Sequence, residues 1–185
     1  MPSAKVLRLN SEHHTFCVKR FDRANGRRVF YASAMTLLRR TQSEGASYLD
    51  LAQFVLRNGA RTHIHNDLAQ LFRRVVFNVA VGNRDDHLRN HGFVLDETGW
   101  RLSPAFDLNP NIDKAEHVLM IDDREHHPSL QAVRATALLY ELKAEEAGTI
   151  IDEVVAVVAT WQETARRFGL AAADIAQMEG AFLSW

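Results

Sequence analysis

Cysteine is nearly absent from this chain. Cys17 is the sole thiol, so no disulfide can close within the chain and no cysteine cluster can hold a metal. That pattern fits a reducing compartment, and the apolar strand-like context of Cys17 predicts a packing role for it. Long hydrophobic runs are missing too. Nothing approaches the roughly 18 apolar residues that span a bilayer, and "MPSAKVLRL" lacks the core and cleavage site of a secretion signal. The expectation is a soluble cytoplasmic protein with no membrane partner. Net charge is also small, at −1, which argues against a global basic field for nucleic acid. The pairs Arg27-Arg28, Arg39-Arg40 and Arg73-Arg74 read as solvated faces, and no direct nucleic-acid contact can be assigned. The nine glycines are dispersed, and none forms a glycine-rich phosphate loop. What the chain does have is 46% hydrophobic residues over 185 positions, enough for one sizeable core.

The first thirty residues read as extended. "HTFCVKRFD" and "VFYAS" carry β-branched and aromatic residues on either side of "RANGRR", whose Asn-Gly pair signals a hairpin turn. Two strands alone are marginal in water, so this hairpin is expected to expose an edge that needs a cover. After Ser33 the spacing turns helical. "SAMTLLRR" is short, and "SYLDLAQFVLRNG" runs from a serine cap to an Asn58-Gly59 stop. "HNDLAQLFRRVVFNVAVGN" is the longest segment before the polar cluster that follows it. Asn66 is its candidate cap, and Leu68, Leu71, Phe72, Val75, Val76 and Val79 line one face. Two short extended runs follow around Asp96 to Gly99. From Ser129 the chain is helical again, with Gly169 ending one long segment; Trp161, Phe168 and Trp185 read as core or interface residues.

The chemistry concentrates in "NRDDHLRN", Asn83 to Asn90, and "SPAFDLNPN", Ser103 to Asn111. Asp85 and Asn90 are five positions apart after a helix, and Asp107 follows a hairpin. Oxygen ligands placed this way can converge on a hard cation, and magnesium takes few protein oxygens alongside phosphate oxygens and water. One Asn carbonyl and one Asp carboxylate suit a Mg-nucleotide, which leaves the other Asp to orient an attacking hydroxyl and accept its proton. A blander reading has Asp85, Asp86 and Asn90 capping element ends, and Asp86 is given only such a loop-capping bond. A different chemistry, metal-dependent hydrolysis, would use His63 and His65 of "HIHND" with Asp67 and the Asp85-Asp86-His87 group. Asn66 and Asp67 look like a helix start, which puts both histidines in its lead-in loop. Glu125 to His127 reads as an exposed loop.

Together these segments resemble the HipA-like serine/threonine kinase family, toxins of bacterial toxin–antitoxin modules. The resemblance rests on "VKRFDR" (Val18 to Arg23), "FNVAVGNRDDHLRNHGFVL" (Phe77 to Leu95) and "WRLSPAFDLNPN" (Trp100 to Asn111). It implies Asp85 as catalytic base, Asn90 and Asp107 as magnesium ligands, His87 near the phosphates or stabilising the loop, and Lys19, Arg20 and Phe21 as the hinge whose backbone meets adenine, with ATP and Mg2+ as cofactors. The implied fold is mainly α (α+β): a kinase-like helical C-terminal lobe with small hairpins, the N-terminal lobe largely missing. Residues 1–32 would be an interlobe remnant and 33–185 the lobe. Implied partners are an antitoxin-like protein, a complementing N-terminal lobe or a second copy of the chain. A non-catalytic interaction module derived from such a kinase is the alternative.

Overall fold

The computed structural model describes residues 3–9, 14–122 and 129–183. Its elements begin with a hairpin of β1 (Ala4–Arg8) and β2 (His14–Val18), paired antiparallel with Lys5 opposite Cys17. The strand "HTFCV" therefore pairs upstream and not, as expected, across the Asn-Gly turn. That turn does form, with both Asn25 and Gly26 at positive φ (50° and 74°), the twist that a two-residue hairpin requires. It closes only β3 (Arg23–Ala24) against β4 (Arg27–Arg28). Beyond it the chain leaves for a better partner: β5 (Tyr31–Ser33) joins β6 (Gly92–Asp96) and β7 (Gly99–Leu102) in the order β5-β6-β7. Here Phe93 gains a fully buried position that a longer exposed hairpin could not offer.

The helical part is built around α3. Ser33 caps the short α1 (Ala34–Leu37). Next, α2 (Tyr48–Asn58) begins in a capping box of Ser47 and Asp50 and stops at Gly59. The long α3 (Ile64–Ala80) starts two residues before Asn66, after a 3-10 turn at Arg61–His63. His65 is thus within the helix and not in a lead-in loop. All six predicted stripe residues of α3 have no exposed surface, each contributing roughly 1.5–3 kcal/mol of hydrophobic stabilisation. Against them pack α2, α4 (Leu130–Ala135), a 3-10 turn at Ala137–Tyr140 and α5 (Ala144–Val158). Phe72 meets Tyr140 edge-on at 5.3 Å. The segment expected as one helix to Gly169 breaks at Ala159-Thr160 into α5 and α6 (Trp161–Arg167), and α7 (Ala172–Met178) follows. Trp161 is half-buried and stacks on Phe182 at 3.9 Å, whereas Phe168 is 73% exposed. Trp185 and Glu125 to His127 lie outside the described residues.

Two features depart from the expected burial. Cys17 is exposed, because the whole β1–β2 hairpin stands clear of the core. Val6, Phe16 and Val18 on it are exposed as well. Among the described residues no helix is long and apolar enough to cross a membrane.

Gly82 fixes how the last turn of α3 meets the chain's final segment. It holds φ +63°, and a Cβ there would lie 2.0 Å from the backbone carbonyl oxygen of Ala181. Gly82→Ala is expected to destabilise the fold by about 2–4 kcal/mol, combining left-handed strain with a clash against main chain that cannot swing aside. Urea denaturation reads this directly, and an unchanged midpoint would contradict it.

Candidate active site

Loop 81–90 leaves α3 and carries two adjacent aspartates that behave oppositely. Asp86 is buried, and three side chains donate to it: Tyr48 Oη at 2.7 Å, Asn78 Nδ2 at 2.8 Å and His91 Nε2 at 2.6 Å. Asn78 in turn accepts from Asn83 Nδ2 at 3.1 Å. Among the described residues Asp86 thus bonds side chains and caps no backbone amide, contrary to expectation. It ties the loop to α2, to α3 and to the start of β6. Further pins come from Ser43 Oγ, which accepts from Leu88 N at 3.1 Å, and from the Ala34 N–H, which donates to His91 O at 2.8 Å.

With Asp86 turned inward, Asp85 faces solvent and pairs with Lys114. Asn90 is largely buried at the loop's end, its N–H donating to His87 O at 2.8 Å. His87 has a buried Nδ1 without a hydrogen-bond partner among the described residues.

Segment 103–111 is fastened to this loop at several points. Asn111 N donates to Gly82 O at 2.9 Å, and Arg84 Nη1 donates to Asn111 O at 2.8 Å. Arg74, on α3, donates to Ser103 O, and Ser103 N donates to Gly92 O at 2.9 Å. Burial pushes the Arg74 guanidinium down to about 10, against the opposing pull of Asp86 and Asp67. Asp107 sits exposed on this segment at φ +55°, a left-handed conformation that costs a non-glycine residue of order 1 kcal/mol or more and clusters at functional sites. One of its carboxylate oxygens accepts from Asn109 Nδ2 at 2.7 Å.

The candidate hinge reaches the same segment through rings. Phe21 stacks on Phe106 at 5.9 Å and meets Tyr31 edge-on at 5.5 Å. The Tyr31 ring lies across Gly92, where any Cβ would fall 2.3 Å from it. Arg20 is held by Asp22 through two hydrogen bonds at 2.8 and 2.6 Å, and these hold the Asp22 carboxyl down at about 2. The Lys19 N–H donates to Ser3 O at 2.8 Å.

Asp85 and Asn90 thus lie on one tethered loop, and the segment that carries Asp107 is fastened to that loop at Gly82 and Arg84. An Asp carboxylate and an Asn amide oxygen are hard donors that suit magnesium with phosphate oxygens and water. Among the described residues no group of three or more His, Cys, Asp or Glu could hold a metal. The hydrolase set is instead dispersed into structural pairs. His65 Nε2 lies 3.2 Å from Glu146, and Asp67 accepts from Arg101 Nε at 2.9 Å and Leu102 N at 3.0 Å.

Sequence reading missed Tyr48, Asn78, His91 and Lys114. Only Asn78 left a signal, as a polar residue beside the apolar stripe of α3.

Burial alone would raise the Asp86 carboxyl, but the neighbouring His91, hydrogen bonds from His91 and Tyr48, and the electrostatic pull of His117 hold it below its ordinary value of 3.8. Burial and the Asp86 charge push the Tyr48 phenol well above 10.0. The stability that Asp86 adds is therefore present above its unfolded value and lost as pH falls through the lower folded one. That from Tyr48 is present below its unfolded value and lost at higher pH. The thermal unfolding midpoint is expected to fall below about pH 4, as the Asp86 contribution is lost, and above about pH 10, as that of Tyr48 is lost. A level midpoint down to pH 2 would contradict this account of Asp86.

Three comparisons bear on these features. Over residues 1–161 the chain matches the family described as HipA-like C-terminal domain. A Haemophilus influenzae protein named "Putative kinase" is 30% identical over 112 residues, covering 53% of this chain and 31% of that protein. A chain from the solved complex of the Shewanella oneidensis MR-1 toxin–antitoxin system HipA, HipB and its operator DNA has the same fold. Its TM-score is 0.73 at 18% identity, covering 96% of this chain and 48% of that one. This chain spans less than half the length of either relative. With a family match over most of its residues, the chain belongs to the HipA-like C-terminal domain family.

Proposed function

We propose that this chain is the C-terminal lobe of a HipA-like serine/threonine protein kinase, which transfers phosphate from Mg-ATP to a protein hydroxyl when a complete N-terminal lobe is supplied. The observation that carries this reading is the tethered loop: buried Asp86 holds it while Asp85, paired only with Lys114 among the described residues, faces solvent on the side a substrate would approach. In this reading Asp85 accepts the proton of the acceptor hydroxyl, and Asn90 and Asp107 hold the metal. Bound Mg2+ would neutralise charge on the phosphate oxygens. His87 faces the phosphates, and Lys19 to Phe21, stacked through Phe21 on Phe106, supply the adenine edge. Phosphoryl transfer asks mainly for positioning and charge neutralisation, and a loop pinned at this many points meets the first need.

The partner side of the proposal rests on the β1–β2 hairpin. Val6, Phe16 and Val18 are exposed on it at 59%, 69% and 44%, an apolar surface of the kind an absent lobe would cover. The Shewanella neighbour was solved with its antitoxin HipB and operator DNA, which supports an antitoxin-like protein as a second partner. The same exposed hairpin favours the other reading, an interaction module without catalysis, which requires no nucleotide dependence.

Calorimetric titration of Mg-ATP into the purified chain separates the two. Saturable heat that requires magnesium supports the kinase lobe, and its absence supports the interaction module.

A further inference from the structure

We propose that Lys114 is a phosphate-binding residue of this site, resting on Asp85 in the ligand-free chain and passing to the terminal phosphoryl group of bound nucleotide. The inference rests on the kinase-lobe reading and adds to it a cation that no sequence motif marked.

Lys114 is placed by a built turn. Asn111 Oδ1 accepts from Asp113 N at 3.0 Å and from Lys114 N at 2.9 Å, an Asx turn that sets the direction of the lysine. The turn is itself clamped to the loop, since Asn111 N donates to Gly82 O at 2.9 Å and Asn111 O accepts from Arg84 Nη1 at 2.8 Å. Val118 N then donates to Arg84 O at 3.2 Å. Both ends of the short stretch carrying Lys114 are therefore attached to the loop that carries Asp85, and its ammonium lies against the Asp85 carboxylate.

Reach follows from the chemistry. A base must lie within about 3 Å of the hydroxyl it deprotonates, and that hydroxyl attacks from about 3–3.5 Å. A cation touching the base is then within one lysine stem's swing of the phosphoryl oxygens. In the balanced step, the acceptor oxygen forms a bond to phosphorus, the bond from phosphorus to the bridging oxygen breaks, and the hydroxyl proton goes to Asp85. ADP leaves. Substrate displaces Lys114 from Asp85 just as negative charge arrives for the ammonium to meet. A lysine suits this exchange because its compact charge rides on a flexible four-carbon stem.

The test compares Mg-ATP with Mg-ADP, since only the first carries the terminal phosphate. NMR titrations of the full chain would be run on wild type, Lys114→Ala and Lys114→Arg. Lys114→Ala is expected to weaken Mg-ATP by about tenfold or more and to leave Mg-ADP within about twofold, with Lys114→Arg recovering part of the loss. Lys114 is 43% exposed, so its removal leaves the fold intact. An unchanged ratio of the two affinities in Lys114→Ala overturns this proposal alone. If the wild type binds neither nucleotide, the kinase-lobe reading falls, and this inference falls with it.

Discussion

Asp107→Ala is expected to abolish Mg-nucleotide binding, while Asp85→Asn keeps the binding and loses phosphoryl transfer once an N-terminal lobe is supplied. The two carboxylates are separated by what each has to do. Asp107 sits on a segment fastened to α3 and to loop 81–90, held at a positive φ that a non-glycine residue adopts only at a cost. In the proposed metal site it would supply the one charged oxygen, the other protein oxygen being the neutral amide of Asn90. Its removal would leave a cation there without a protein carboxylate, and hard cations held by one or two carboxylates depend on each of them. Asp85 in the proposed chemistry acts only when a hydroxyl loses its proton, so its amide isostere should bind nucleotide at near wild-type affinity. General-base removal costs typically about 10²–10⁴ in rate. Calorimetry gives the first comparison, and phosphate incorporation into an acceptor by the reconstituted pair of lobes gives the second. Equal Mg-ATP affinity in wild type and Asp107→Ala would remove Asp107 from the metal site. Undiminished transfer by Asp85→Asn would remove Asp85 from its role as base.

The second large effect belongs to the neighbouring residue and is one of stability. Asp86→Ala leaves Tyr48 Oη, Asn78 Nδ2 and His91 Nε2 buried without their shared acceptor. Each buried donor left without its acceptor costs about 1–3 kcal/mol. Whole domains are stable by only about 5–15 kcal/mol, so this variant should be close to unfolded at room temperature. Asp86→Asn retains the shape and an acceptor oxygen but loses the charge, and it should fall between wild type and alanine. Asp85→Ala, one residue away on the exposed side, should move the unfolding midpoint by no more than about 0.5 kcal/mol in free energy. Urea denaturation of the three variants would decide the matter. Equal losses for Asp85→Ala and Asp86→Ala would mean that the loop is not held through Asp86.

This contrast shows where sequence reasoning ran out. Asp85 and Asp86 are the same residue type at consecutive positions, and period and composition treat them alike. The family resemblance favoured Asp85 as base, but the anchoring role of Asp86 needs Tyr48 from 38 positions upstream and Asn78 from the last turn of α3. Lys114 was equally silent, since a lone lysine in a loop is ordinary until an Asx turn places it on an aspartate 29 residues back. The strand partners of "HTFCV" and "VFYAS" were misread for a related reason. The Asn-Gly turn is a strong local signal, yet local turn chemistry does not say how far a hairpin continues when a third strand offers burial.

By itself, the sequence determined the elements whose cause is local or periodic. The stripe from Leu68 to Val79 made α3 the core helix, Ser47 and Gly59 bounded α2, and Asp96 to Gly99 turned β6 into β7. It also placed the residue types for phosphoryl transfer at spacings that pointed to the family. Tertiary structure alone decided which carboxylate is buried, which partners hold it, which strand Tyr31 joins and which cation faces Asp85. Each of these depends on contacts between residues far apart in the chain, where burial and a shared hydrogen-bond acceptor outweigh local preference.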